Sequence, residues 1–522
     1  MSPLLSTENH FSSGASVSDL MRRLLGYPLH SVAAVCTALL LVAPFVIPVD
    51  GLPVPTFYQE WTAVALGSAA FMAILLAQGK TGIEVPRTVL LPIGILLLLL
   101  VQMTQGRLIY WQQGAIGAMY LLWSLTMMCV GRALRQRFGW DGFCRLSAWA
   151  VCFGALLSAV IGVIQLIGWQ LGGLVVPMIG PRAHANLGQP NHFANYLSLG
   201  LLAIIYLACT RRLNLFAAGG AMVLLLTLAN LSGTRSTWLY LAAAAFLAVW
   251  AHRGARSTQT RALVIWAATA IVTMLVLQFV SGSLLEQSTL RHVTAGARLS
   301  VADAGYSHRL AEWLASLLMI KSAPLMGVGF KEFAWNYFLL AGLLPAGIPE
   351  EITDNSHNLV LHLFAEFGLP GGILLIGAAV FWWVLQFREK ASIHRWWALC
   401  VVAILCLHSL LEYPLWYAYF LGPFALFVGA GDSAVWHIGS ASRSRIVVAA
   451  LCIGIVWTLA SVFNDYRRVE RLALLPKRAI CKQTFAATRS TFHGQRCSPI
   501  LLNLDFPAPL AWIATRSMRN SN

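Results

Sequence analysis

The chain has 522 residues and a formal net charge of +16; 58% of its residues are hydrophobic, 11% are charged, and the mean hydropathy is +0.70. A soluble globular protein carries roughly 25% charged residues, so most of this chain is solvated by something other than water, and ordinary soluble architectures are excluded. Its basic residues fall between apolar runs rather than on one face, which fits loops against anionic headgroups and sets nucleic acid aside as a partner.

Apolar runs long enough to cross roughly 30 Å of hydrocarbon begin near residues 31, 60, 88, 112, 146, 193, 214, 236, 262, 369, 396, 414 and 446. The expected fold is an all-α polytopic membrane protein with about 13 transmembrane helices (11–14) and a long outer loop carrying short amphipathic helices. The first run follows Arg22 and Arg23 with no small-x-small cleavage site behind it, so it reads as a retained span. In this layout residues 1–30 are a cytoplasmic N-terminus, 31–281 an N-terminal bundle and 282–356 the long outer loop. Residues 357–463 are a C-terminal transmembrane part and 464–522 an outer tail. Charge supports the sidedness. The expected inner segments hold eighteen Lys and Arg residues, whereas the short outer loops hold three, Arg107, Arg182 and Arg235.

Polar residues that simple spans do not need gather on the outer side. Arg182 precedes Gly188-Gln189-Pro190-Asn191-His192, where Pro190 holds Gln189 extended and Asn191 or His192 can open the next helix. A turn with a helix cap explains this stretch as well as a ligand site does. Ser232-Gly233-Thr234-Arg235-Ser236 makes a short hairpin, whose arginine either anchors to headgroups or binds an anion. From Ser307 onward, Arg309, Glu312 and Ser316 share one helical face and Leu310, Leu314, Leu317 and Leu318 another, as in a helix lying in the interface. Pro324 ends that helix, and Gly327-Val328-Gly329 makes a turn.

Asp354-Asn355-Ser356-His357-Asn358 comes next, with Asn355 or Ser356 placed to cap a helix in which Asn358, His362 and Glu366 form a polar stripe. The helix mouth is expected to lower the His357 pKa and favour neutral imidazole. His408 and Glu412, four apart, are followed by Tyr413-Pro414 and Tyr417. His357 and His362 do not share a helical face and there is no HExxH or CxxC, so no metal is expected. The ten cysteines are scattered and read as packing residues, Cys481 and Cys497 being the candidate oxidised pair. Arginines, a histidine and carboxylates on one side suit an anionic ligand reached from lipid, a pyrophosphate above all.

Asp354 through Leu359, and Glu366-Phe367-Gly368-Leu369-Pro370-Gly371-Gly372, resemble the signature of the O-antigen ligase and polymerase superfamily. So do Arg309 through Gly329 and Ser232 through Arg235. Pro55-Thr56-Phe57-Tyr58-Gln59-Glu60-Trp61, Gly188 through His192 and His408 through Tyr417 are similar to the bacterial O-oligosaccharyltransferases that glycosylate pilin-like proteins. The resemblance covers roughly residues 25–470 and breaks off after Arg471, as a divergent or a truncated tail would make it do.

The resemblance implies an undecaprenyl-pyrophosphate-linked oligosaccharide as donor and a pilin-like or other periplasmic protein as acceptor. It also implies an inner-membrane location with a periplasmic site, and transfer without metal or other cofactor. It makes His357 the essential histidine and Arg309, Arg235 and Arg182 the pyrophosphate ligands. Gln189, Asn191, His192, Asn355, Glu366, Glu412, Tyr413 and Tyr417 become substrate-binding residues. Two other readings stay open: ligase or polymerase chemistry on lipid A core or a growing glycan, and a transporter or flippase. The absence of an internal repeat and of mid-membrane charges speaks against the last.

Overall fold

The structure, a computed structural model, describes residues 28–49, 53–77, 82–169, 171–284, 304–344, 352–438 and 444–473. Residues 1–27, the 285–303 stretch and the tail with Cys481 and Cys497 lie outside them, so the readings made there are not addressed. In chain order the elements are α1 (Pro28–Leu40), α2 (Ala43–Val46), α3 (Phe57–Ala77), β1 (Ile83–Pro86), α4 (Leu90–Thr104), α5 (Trp111–Leu166), α6 (Pro190–Cys209), α7 (Leu215–Leu231) and α8 (Ser236–Ala255). Then follow α9 (Thr258–Leu284), α10 (Ala304–Ser322), α11 (Phe333–Leu340), α12 (Leu359–Arg388), α13 (Ile393–Ser409), α14 (Ala418–Gly431), β2 (Val435–Ile438) and α15 (Ser444–Ala473). Every expected span start falls in a helix or within a few residues of one. Among the described residues, eight helical stretches are long and apolar enough to cross a membrane, with shorter apolar helices beside them. The chain is an all-α, multi-pass membrane protein.

One helical run holds two of the expected spans. The 56 residues of α5 would extend about 84 Å at 1.5 Å per residue, far beyond one crossing. Gly139 breaks it with φ 69° and ψ 176°. The two halves then lie side by side. Gly422 sits where a Cβ would touch both Trp123 of the first half and Leu40, while one on Gly154 of the second half would touch neighbouring Val42. Helix α6 runs through the middle and is buried on every side, which suits its nearly unbroken apolar sequence. Helices α5 and α14 approach until their backbones touch. A Cβ on Gly131 would strike the Leu426 carbonyl, and one on Gly429 the Met128 carbonyl. Small residues are the means by which apolar helices pack closely where no water drives them together.

The described connections gather at two ends of the bundle. At one end β1 pairs antiparallel with β2, Ile83 opposite Ile438, and Arg132 bridges to Glu84 at 2.7 Å. Arg212 reaches Asp141 at 3.5 Å there. At the other end Val49 donates to the Asn186 carbonyl, Ala183 to that of Leu231, and Asn191 reaches Glu412. All the candidate site loops belong to this second end.

Helix α10 confirms the two faces read from its spacing, with the polar one turned inward. Glu312 and Ser316 are buried beside Ala311, Ala315 and Met319, whereas Leu310, Leu314 and Leu317 are exposed. An outward leucine face is what a helix laid against lipid presents. The turn after it zips onto a break in α12 at Gly368 (φ 71°, ψ −179°). Val328 donates to the Ala365 carbonyl at 2.9 Å and Leu369 to that of Pro324 at 2.7 Å. Gln102 donates to the Met326 and Glu366 carbonyls at 2.9 and 2.7 Å. Gly368 has both a positive φ and no room for a Cβ, which would meet the Leu325 backbone. Gly368→Ala is therefore expected to cost about 1–3 kcal/mol, from backbone strain and overpacking. Thermal unfolding in detergent would read this as a lowered midpoint; an unchanged midpoint would remove the zip from the account.

Candidate active site

His357 is set by its own loop. Its backbone takes a left-handed conformation (φ 47°), uncommon for a residue with a side chain. The neighbours hold that strain: Asn355 Oδ1 accepts from His357 N at 3.0 Å, and Ser356 Oγ donates to the Asn358 carbonyl at 2.7 Å. The cap of α12 is Asn358, whose Oδ1 accepts from Val360 N and Leu361 N. Neither Asn355 nor Ser356 fills that role, which corrects the expected cap by two or three residues. Non-glycine residues in such conformations are concentrated at functional sites.

The His357 side chain joins two elements distant in sequence. Nδ1 lies 2.9 Å from Glu312 Oε2 on α10, and Nε2 lies 3.7 Å from Glu412 Oε2 in the turn after α13. Glu412 Oε1 accepts from Asn191 Nδ2 at 2.7 Å and from Arg309 Nη2 at 3.2 Å. Asn191 Oδ1 in turn accepts from Arg182 Nη2 at 3.0 Å and from Thr234 Oγ1 at 3.1 Å. Arg182 Nε donates to the Ser232 carbonyl at 2.7 Å. A continuous polar network thus links Arg182, Asn191, Glu412, Arg309, His357 and Glu312. Arg235 opens α8 three residues past Ser232, half-buried at the same end.

Charge in the cluster is nearly self-balanced. Burial alone would lower the His357 pKa, but the hydrogen bond and charge of Glu312, joined by the charge of Glu412, outweigh it and raise it above its ordinary value. The expectation of a lowered pKa is corrected: it counted the helix mouth and missed both carboxylates. Burial raises the Glu412 carboxyl, with His357, Arg309 and Asn191 drawing it partly back. Burial also pushes the Tyr413 phenol up to about 12, aided by Asp354 and Glu412, so it stays a neutral hydrogen-bonding group. Its ring lies edge-on to His357 at 5.6 Å and stacks on Tyr417 at 6.0 Å. A narrow, open cleft is walled by Asn355, His357, His362, Glu412, Tyr413 and Trp416.

Three expected ligands have other partners. Gln189 is extended, as Pro190 requires, but its Oε1 caps α6 by accepting from His192 N at 2.6 Å. His192 is buried under the cluster among the rings of His408, Tyr417 and Phe420. Glu366 is fully buried, accepts from Lys331 N at 2.8 Å and lies 3.3 Å from His362 Nε2, so it fastens the zipped turn. Glu312 was visible only as a member of the α10 polar face, because its partner lies 45 residues further along the chain. Among the described residues, no group of three or more His, Cys, Asp or Glu is arranged to hold a metal ion.

Many helices and a charged cluster at one bundle end define a multi-pass membrane protein with a buried-edge polar site. Residues 220–376 match the O-antigen ligase family, and residues 396–492 match the C-terminal part of the virulence factor membrane-bound polymerase family. The second match extends past Arg471, where the motif resemblance ends. The chain is 26% identical over 460 residues to the general O-oligosaccharyltransferase of Acinetobacter baylyi, covering 84% of this chain and 77% of that one. It is 24% identical over 397 residues to the ComP-specific O-oligosaccharyltransferase of the same organism, covering 74% and 68% respectively. The chain is thus similar to O-oligosaccharyltransferases and to the O-antigen ligase family.

Proposed function

We propose that the chain transfers an oligosaccharide from undecaprenyl pyrophosphate to serine or threonine of periplasmic proteins such as pilin, at the periplasmic face of the bacterial inner membrane. The observation that carries this reading is the single network joining Arg309 and Arg182 to His357 through Glu412. In this reading the thirteen runs are all spans, and residues 282–356 and 464–522 lie in the periplasm.

The chemistry asks for two things. A lipid pyrophosphate departing from an anomeric carbon carries charge that arginine forks match well, and fixed cations in a partly dry site stabilise that charge as it develops. The attacking hydroxyl needs a nearby group to orient it and take its proton, which a histidine supplies at neutral pH. No metal is invoked. Arg309, Arg235 and Arg182 serve the pyrophosphate. His357 serves the acceptor, and Tyr413, Tyr417, Asn355 and Asn191 shape the ground between them.

The second reading keeps the chemistry and changes the acceptor to lipid A core or a growing glycan, favoured by the descriptions of the two matched families. Reconstitution with lipid-linked oligosaccharide separates the two. A serine-containing pilin is offered in one reaction and lipid A core in the other. Glycosylated pilin is the expected product. Transfer only to lipid A core would move the chain to the ligase reading, and transfer to neither would end both.

A further inference from the structure

Glu312 is an acid where packing does not ask for one. Its side chain is only 2% exposed, and its neighbours on the buried face of α10 include Ala311, Ala315 and Ser316. A carboxylate at such depth is costly unless it is partnered. Both its oxygens face imidazoles: Oε2 is 2.9 Å from His357 Nδ1, and Oε1 is 3.3 Å from His308 Nδ1. An imidazole that gives its Nδ1–H to a carboxylate is fixed in ring orientation and tautomer, and Nε2 becomes the nitrogen free to take a proton. Here Nε2 faces the side of the cluster that holds Glu412, Arg309 and Asn191.

We propose that Glu312 is the positioning residue of the transfer, holding the Nδ1–H tautomer of His357 and stabilising the imidazolium that forms when Nε2 takes the acceptor's proton. The proposal rests on the transfer reading above. In the step, the acceptor oxygen bonds to the anomeric carbon, and the bond from that carbon to the phosphate oxygen breaks. The electron pair leaves with the lipid pyrophosphate. The hydroxyl proton goes to Nε2, and the Nδ1 proton stays on His357, shared with Glu312. His308 Nδ1 lies 3.3 Å from the second oxygen of Glu312, so the carboxylate has an imidazole near each oxygen.

The groups that face His357 and set its titration are Glu312, Arg309 and, through Glu312, His308 on α10. Glu412 and Tyr413 face it from the turn after α13, and Asp354 lies on its own loop. Glu312→Gln removes one negative charge and offers an amide that can donate to Nδ1, favouring the wrong tautomer. Its kcat is expected to fall about 10²-fold, the low end of what general-base help supplies, with KM for the donor near wild type. The acid limb of its rate against pH should move to lower pH, since the charge that holds the imidazolium is gone. Glu312→Asp keeps the charge and should recover part of the loss.

A second measurement needs no donor. Modification of His357 by diethyl pyrocarbonate, followed by peptide mass spectrometry across pH, reports the imidazole's own midpoint, which should fall in Glu312→Gln. An unmoved limb and midpoint would overturn the pairing and leave Glu312 a packing residue. A moved midpoint in a protein that transfers no oligosaccharide would retire the transfer reading, and with it the catalytic use of the pair.

Discussion

Replacing His357 with alanine is expected to cut oligosaccharide transfer by about 10²–10⁴-fold, the range lost when general-base help is removed. Abundance and membrane insertion should stay near wild type. The loss need not come from a stranded charge, because His308 still faces Glu312 from the other oxygen at 3.3 Å. His357→Gln sharpens the comparison. It can keep a donor for Glu312 but offers no base, so a rate as low as that of alanine would separate proton transfer from positioning of the carboxylate. A packing histidine would behave otherwise, lowering yield and leaving the rate per folded molecule unchanged. Full activity in both variants would take His357 out of the site.

The second large effect is expected at Arg309. Its Nη2 lies 3.2 Å from Glu412 Oε1, and its helix turns leucines outward toward lipid, so it stands where a membrane-held anion would arrive. Arg309→Ala should lower kcat/KM for the lipid-linked donor by about 10²–10³-fold, comparable to removing one fixed donor from a charge-stabilising site. Arg309→Lys should recover only part, because a point charge lacks the fork that grips two oxygens. The measurement is initial rate against donor concentration at saturating acceptor. Normal donor kinetics in the alanine variant would remove pyrophosphate binding from Arg309. A loss confined to the acceptor's KM would reassign it to the acceptor side.

Much of the site is legible in the sequence. Arg182, Asn191, Arg309, His357 and Glu412 stood out because a span has no use for them, and they meet in one network. The placement of Lys and Arg predicts two kinds of loop, and the loops carrying the candidate site gather at one end of the bundle. Local reasoning failed where the deciding partner was remote. The His357 titration was judged from its own helix mouth, whereas Glu312 and Glu412, from two other elements, set its direction. Glu366 shared a spacing with His362 and Asn358 yet serves Lys331 N, a contact made only when the turn after α10 folds back. The two halves of α5 are read as two spans, but that they join through a single non-helical residue, Gly139, is not visible in the hydropathy.

Glu412 already accepts from one nitrogen of Arg309 and, through Asn191, is linked to Arg182. A carboxylate tethered in place competes as though present at very high concentration. Inorganic phosphate arriving free from solution must displace that tethered rival by its own charge alone, and it gains nothing from the surrounding bilayer. A pyrophosphate carried on a long isoprenoid chain is held beside the protein by its tail, so its own local concentration is high enough to contest the seat. On the transfer reading proposed above, this arrangement would favour a lipid-held headgroup over small free anions.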